Sequence, residues 1–270
     1  MLIDMLDFLY ILLMILSGFA LVYLLFLVRP RKRKFNTEGL LTAYAHRGLH
    51  GEDAPENSLR AFELAIENGY GIELDVQLSK DGKVVVFHDY ILDRMTNIKG
   101  KICDFTALKL NNITLKNSYE TIPLLSEVLD LVDGRVPLLI ELKGEDLNTS
   151  LCEKVAHHLK SYSGKFCIES FNPLLIWKMK KYLPNAYYGQ LYTNVCRERG
   201  PHPACLLLAS MSLNFLSRPD FISYNKLDRN SLPVKVAAGL YNTPRFVWTL
   251  NGEAEKKKAD SLGEYSIFEF

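Results

Sequence analysis

From Phe8 to Val28 the chain runs for 21 residues without a charge, as FLYILLMILSGFALVYLLFLV. At 1.5 Å per residue a helix of that length covers the roughly 30 Å hydrocarbon core of a bilayer, so a transmembrane helix is expected here. A cleavable signal peptide has a basic leading region and a shorter apolar stretch. In this chain Asp4 and Asp7 precede the run, and only Gly18 and Ala20 weakly imitate a cleavage site, so an uncleaved anchor is the expectation. Past a short linker over 35–40 the pattern changes. Apolar runs of strand length now alternate with runs of helical spacing. Strands are expected at 41–46, 71–78, 84–88, 137–143, 165–171, 186–192, 220–225, 245–250 and 265–270. Helices are expected at 56–68, 123–132, 147–162, 172–183, 204–216 and 254–261.

Repeated β–α units with apolar strands imply a parallel sheet covered by helices, either doubly wound or closed. Eight strands fall into alternation if 84–88 is an excursion on the second unit. The 236 residues after Lys34 match the usual size of about 250 for a (β/α)8 barrel. The Gly-rich turn of a dinucleotide-binding sheet is absent after the first strand. The expected fold is therefore a TIM barrel over 41–270 behind a membrane anchor over 1–34. Its C-terminal end is short: the sequence stops at Ser266-Ile267-Phe268-Glu269-Phe270, so an eighth strand has no eighth helix after it. A membrane-proximal helix or a partner is expected to cover that gap.

Charge sharpens the topology. The segment Arg29-Pro30-Arg31-Lys32-Arg33-Lys34 holds five basic residues in six, whereas the opposite flank carries Asp4 and Asp7. Basic flanks stay on the cytoplasmic side, so a single-pass protein with a cytoplasmic catalytic domain is expected. The same cluster would attract anionic headgroups. Five cysteines without a C-x-x-C pair form neither a disulfide framework nor a zinc site and suit a reducing compartment. The net charge of +1 averages two unlike parts, because residues 35–270 hold 27 basic and 29 acidic side chains. No basic field points to nucleic acid.

In such a barrel the chemistry lies at the C-terminal ends of strands. Those ends carry His46-Arg47-Gly48, Glu73-Leu74-Asp75, His88-Asp89 and Glu141-Leu142-Lys143. Residues i and i+2 of a strand share a side, so Glu73 converges with Asp75, and Glu141 with Lys143. Three carboxylates facing one mouth repel one another unless a cation sits among them. An all-oxygen set suits a hard divalent ion, Mg²⁺ or Ca²⁺. Arg47 and Lys143 add the positive charge a phosphate needs, and His46 and His88 supply a base and an acid in an order the sequence leaves open. Together these are the parts of a phosphodiester hydrolase.

The stretch AHRGLHGEDAPENSLRAFELAIENGYGIELDVQLSKDGKVVVFHD, followed by IPLLSEVL, LLIELK, ESFNP and VWTLN, resembles the glycerophosphodiester phosphodiesterase family over about Tyr44 to Leu250. The resemblance implies a TIM barrel, a divalent cation held by Glu73, Asp75 and Glu141, and a catalytic pair His46 and His88. It also implies phosphate contacts from Arg47 and Lys143 and an aromatic lining with Phe171 and Trp248. By the same resemblance, the glycerol 2-hydroxyl attacks phosphorus, an alcohol leaves, and water opens a cyclic phosphate to glycerol 3-phosphate. Two alternatives stand beside it: a lysophospholipase D acting on membrane lysophospholipids, and a non-catalytic membrane scaffold. Protein partners are not legible. His50 reads as a loop residue that caps or packs, His157 and His158 as solvated, and His202 as without a role. Glu56 fits either the family motif or a helix start, and the cysteines read as packing residues or inert thiols.

Overall fold

The computed structural model describes residues 2–31, 36–144, 147–200 and 202–270. Lys32, Arg33 and Lys34 of the basic cluster, and Phe35 at the start of the linker, lie outside them. The first helix, α1, spans Leu2–Val22 and continues as a π-helical turn over Tyr23–Leu27. Met5–Phe26 is long and apolar enough to cross a membrane, a property that spans and signal sequences share, and residues 5–22 of it are exposed.

The apolar run expected to end the span at Val28 is shared between two environments. Val28 is fully buried in the protein core, and the Tyr23 hydroxyl donates to the Ser210 carbonyl at 2.7 Å. Arg31 of the basic cluster is also a structural tie: its guanidinium donates to both Asp220 oxygens, at 2.7 and 2.6 Å, and to the Ala186 carbonyl at 3.1 Å. A bidentate Arg–carboxylate pair of this kind fixes geometry as well as charge.

The strands are β1 (Tyr44–Ala45), β2 (Gly71–Leu78), β3 (Val84–Val86), β4 (Leu138–Leu142), β5 (Phe166–Ser170), β6 (Tyr187–Tyr192), β7 (Phe221–Asn225), β8 (Arg245–Leu250) and β9 (Tyr265–Phe268). The helices after α1 are α2 (Leu59–Glu67), α3 (Ala107–Leu110), α4 (Leu125–Val132), α5 (Ser150–Leu159), α6 (Pro173–Tyr182), α7 (Val195–Arg199), α8 (Pro203–Ala209), α9 (Asn214–Ser217), α10 (Leu232–Gly239) and α11 (Glu253–Ser261). All strands but β3 run parallel in the order β1-β9-β8-β7-β6-β5-β4-β2, and β1 pairs with β2 as well, which closes an eight-stranded TIM barrel. The excursion β3 lies antiparallel on β2, pairing Val86 with Val76.

Alternation along the strands sorts the two faces. On β2, Ile72, Leu74 and Val76 join the core beneath the helices, as do Leu138, Ile140 and Leu142 on β4. Leu139, Cys167, Tyr187, Phe221 and Phe246 fill the barrel interior. Above that floor, Asp75, Glu141, Glu169 and Gly189 stand in register on four consecutive strands. Gly189 is required by the floor: a Cβ there would come within 2.1 Å of the Phe221 ring.

Several expectations change. β1 has two residues where six were expected, because Arg47 and Gly48 turn into the left-handed region at φ 56° and 84°. The helix expected over 204–216 breaks into α8 and α9 at Met211, whose φ of 54° no right-handed helix propagates through. α10 forms where no helix was expected, with Pro233 in its first turn, where a missing N–H costs nothing. Residues 87–122 build a small apolar satellite around Phe87, Leu92, Ile102, Leu110 and Leu115. No helix follows β9 among the described residues. The segment after the apolar helix packs beside the start of β7, where the Arg31 N–H donates to the Pro219 carbonyl at 2.9 Å, and Phe268 of β9 meets the Tyr70 ring at 4.9 Å and the Phe270 ring at 4.9 Å.

Candidate active site

The site is assembled at the C-terminal ends of the strands. A cavity of about 100 Å³ is lined by His46, Arg47, Glu73, His88, Glu141, Glu169, Phe171 and Trp248, among others. Seven of the nine residues singled out in the sequence therefore meet in one hollow. The other two lie beside it, Asp75 buried and Lys143 partly buried, with Lys143 Nζ 3.2 Å from Asp75 Oδ1 and 2.8 Å from Glu141 Oε1. Among the described residues, the larger hollow of about 840 Å³ bordered by Asp81 and His157 holds no such cluster of three metal-ligating side chains.

Ligand oxygens of Glu73, Asp75 and Glu141 all lie within 4.8 Å of one another, and all three residues are buried. Burial pushes the Glu73 carboxyl well above its ordinary range, and the neighbouring Asp75 and Glu141 push it further. Burial likewise raises Glu141 to about 7, against the opposing pull of Lys143. For Asp75 burial is outweighed: Lys143, His88 and Arg47 hold it below the usual carboxylate range. Burial also opposes the charge on Lys143, yet Asp75 and Glu141 keep it firmly protonated. Oxygen-only donors, crowded and mutually repelling, fit a hard divalent cation.

The loop after β1 is bent to serve this cluster. Its left-handed turn aims the Arg47 backbone N–H at Glu73 Oε2, 2.8 Å away, while the guanidinium donates to Glu56 Oε1 at 2.8 Å. Asn57, also left-handed at φ 58°, donates to Asp75 Oδ2 at 2.9 Å. Glu56 therefore holds Arg47 in place rather than simply starting a helix; Ser58 caps α2 by accepting from the Ala61 N–H at 3.1 Å.

Each histidine is held by a carboxylate through Nδ1. His46 Nδ1 is 2.5 Å from Glu269 Oε1, and His88 Nδ1 is 2.6 Å from Asp89 Oδ1. Glu269 lies below its usual range because His46 and His50 hydrogen-bond to it. Asp89 does too, since Arg94 and His88 outweigh its partial burial. Ionised carboxylates only accept, so both Nδ1 atoms carry the proton and the Nε2 atoms of the neutral rings are unprotonated. Burial lowers both imidazoles below their ordinary value.

Glu269 and Arg94 carry no sequence signal for these positions, and Asp89 is legible only as the neighbour of His88 at a strand end. Arg94 bridges two of the supports, donating to Glu56 and, at 2.6 Å, to Asp89 Oδ2. Glu169 was visible only as the first residue of ESFNP at a strand end. In the structure it is buried with Oε2 unpartnered, and burial and Glu141 raise its carboxyl well above normal. Phe171 and Trp248 meet edge to face at 5.8 Å on the cavity wall. His50 sits 3.7 Å from Glu269.

Residues 46–268 match the glycerophosphoryl diester phosphodiesterase family. The chain belongs to this family. It is accordingly an enzyme, a phosphoric diester hydrolase. It is 30% identical to YhdW of Bacillus subtilis over 236 residues, covering 81% of this chain and 90% of that protein. To the glycerophosphodiester phosphodiesterase of Caldanaerobacter subterraneus it is 40% identical over 159 residues, 55% of this chain and 65% of the relative. Among solved structures, a phosphodiesterase of Oleispira antarctica in complex with the product sn-glycerol-3-phosphate superposes with a TM-score of 0.70 at 24% identity, covering 84% of this chain and 92% of that one. The glycerophosphodiester phosphodiesterase of Thermotoga maritima gives 0.66 at 28% identity, covering 84% and 94%.

Proposed function

We propose that this glycerophosphodiester phosphodiesterase family member hydrolyses glycerophosphodiesters to sn-glycerol 3-phosphate and an alcohol, with one divalent cation, Mg²⁺ or Ca²⁺, on Glu73, Asp75 and Glu141. The observation that carries the reading is the convergence of that oxygen triad with two carboxylate-held imidazoles in a single cavity. When bound, the cation would supply Lewis-acid charge for the phosphoryl oxygens.

The remaining work falls to the chain. The Arg47 guanidinium, fixed by Glu56, presents charge to the phosphate. Lys143, anchored between Asp75 and Glu141, adds to the positive field from below. The neutral Nε2 of one histidine accepts the proton of the glycerol 2-hydroxyl as that oxygen attacks phosphorus, and the protonated form of the other gives its proton to the departing alkoxide. In the second step the roles reverse: water loses a proton to one imidazole while the 2-oxygen regains one, which opens the cyclic phosphate. Glu269 and Asp89 keep Nδ1–H in place and stabilise each imidazolium as it forms. Phe171 and Trp248 wall the site and exclude water from the reacting centre.

The barrel over 41–270 is proposed to be carried on a membrane anchor over 1–34 that spans once, with residues 35–40 as linker and the catalytic domain on the cytoplasmic side. The exposed apolar helix and the excess of basic residues after it support this reading. The test uses the full chain in detergent: glycerol 3-phosphate release from glycerophosphocholine, with and without a chelator, and in His46→Ala and His88→Ala. Loss of activity in the chelator, regained with Mg²⁺ or Ca²⁺, together with loss in each variant, is expected. Activity that persists in the chelator or in either variant would overturn the mechanism.

A further inference from the structure

α8 carries no charged or hydroxyl side chain: it reads PACLLLA, and none of its residues is buried. Leu206, Leu207 and Leu208 are 55%, 45% and 42% exposed. Successive helix positions point about 100° apart, so three exposed leucines in a row cannot belong to one solvent-facing edge of a helix packed on the barrel. A contiguous apolar surface of this kind marks an interaction site.

The neighbourhood of α8 identifies the partner. The Tyr23 hydroxyl, in the last turns of the apolar helix, hydrogen-bonds the carbonyl of Ser210, the residue that follows α8. The Tyr241 hydroxyl ties the same turn by donating to the Leu24 carbonyl. The point where the apolar helix meets the barrel is thus pinned two residues from Leu208. We propose that α8 docks on the bilayer that α1 spans, with Leu206 and Leu207 inserted at headgroup level beside the span. This rests on reading Met5–Phe26 as a membrane span. Short apolar helices lie in that layer because it accepts their side chains while leaving the helix ends hydrated.

Docking there also orients the catalytic mouth. The inner side of α8 and the turn after it contribute Leu208 and Met211 to an apolar cleft of about 80 Å³, whose other wall includes Phe171 and Leu191. Those two residues also line the catalytic cavity. The docked helix therefore places the site beside the leaflet, with Phe171 and Leu191 shared between the cleft and the catalytic cavity.

The test reconstitutes the full chain in vesicles of phosphatidylcholine and phosphatidylglycerol. With brominated lipid in the vesicles, the fluorescence added by Leu207→Trp over the wild type is expected to be strongly quenched. The double variant Leu206→Glu/Leu207→Glu is expected to lose about tenfold in turnover of a lysophospholipid carried in the vesicles, with glycerophosphocholine turnover unchanged. An unquenched indole in a chain that floats with the vesicles and still hydrolyses glycerophosphocholine overturns the docking of α8 and leaves the enzymatic reading standing. Dimers that the double variant dissociates, with no quenching, would assign α8 to self-association and overturn it as well. Failure of the wild type to float removes the span on which the inference rests.

Discussion

Glu269 Oε1 lies 2.5 Å from His46 Nδ1, joining the residue that follows the last barrel strand to the residue that follows the first. The contact depends on closure: Ala45 pairs with Phe268, and the His46 N–H donates to the Phe268 carbonyl at 2.9 Å. Glu269 thus sets the tautomer and direction of His46 from 223 positions away in the sequence. Barrel closure and the orientation of a proposed catalytic imidazole are one structural event.

Glu269→Gln should therefore lower kcat by about 10–100-fold while changing KM little, because the substrate pocket is intact and the imidazole has lost its anionic partner. Glu269→Asp should regain part of the rate. Steady-state kinetics with glycerophosphocholine at saturating metal check this; an unchanged kcat in the Gln variant would remove Glu269 from the machinery.

The carboxylate cluster stores repulsion when no cation is bound. Burial, with Asp75 and Glu141, raises the Glu73 carboxyl, so in its ionised form this group opposes folding at neutral pH. Glu73→Gln should raise the melting temperature in chelator, abolish the further rise that Mg²⁺ or Ca²⁺ gives the wild type, and eliminate activity. Thermal denaturation with and without each ion is the measurement; a Gln variant less stable than wild type in chelator contradicts the account.

Arg94 joins Glu56 and Asp89, and both carboxyls lie below their ordinary values even though burial raises each. A depressed carboxylate stabilises the fold above its unfolded pKa, about 3.9 for Asp and 4.3 for Glu, and that contribution is lost as pH falls through the folded value. Arg94→Met should cost about 1 kcal/mol at pH 7, discounted because the arginine is partly exposed. The difference from wild type should shrink as the pH is taken below the unfolded carboxylate values and vanish once both folded carboxyls are protonated. Urea unfolding at several pH values tests this.

Gly189→Ala should destabilise the barrel by about 1–3 kcal/mol through overpacking, since the new methyl would meet the Phe221 ring at 2.1 Å in the filled interior. A melting temperature equal to wild type would show that Phe221 has room to move.

The sequence by itself determined a good deal. β2 and β8 occupy the residues the apolar pattern marked, 71–78 and 245–250, because most of their side chains are apolar and β2 is buried along nearly its whole length. Glu73 with Asp75, and Glu141 with Lys143, were placed on shared faces because side-chain direction in a strand follows a period of two, a purely local rule. The ends of elements were less legible: β1 is cut short by a left-handed Arg47, and 204–216 breaks at Met211. Tertiary contacts, not propensity, hold residues in such conformations.

Only the tertiary structure decided the rest. Glu269 on His46, Arg94 between Glu56 and Asp89, and Glu169 in register with Glu141 all join residues whose spacing carries no periodic signal. Arg31 read as one charge in a basic cluster and Val28 as the end of a span. Both are drawn into the barrel, because Asp220 and an apolar core become available to them only once the chain has folded. Periodicity records which face a residue turns to its own element. The identity of the group waiting on that face is set by closure of the barrel, which brings distant strand ends together.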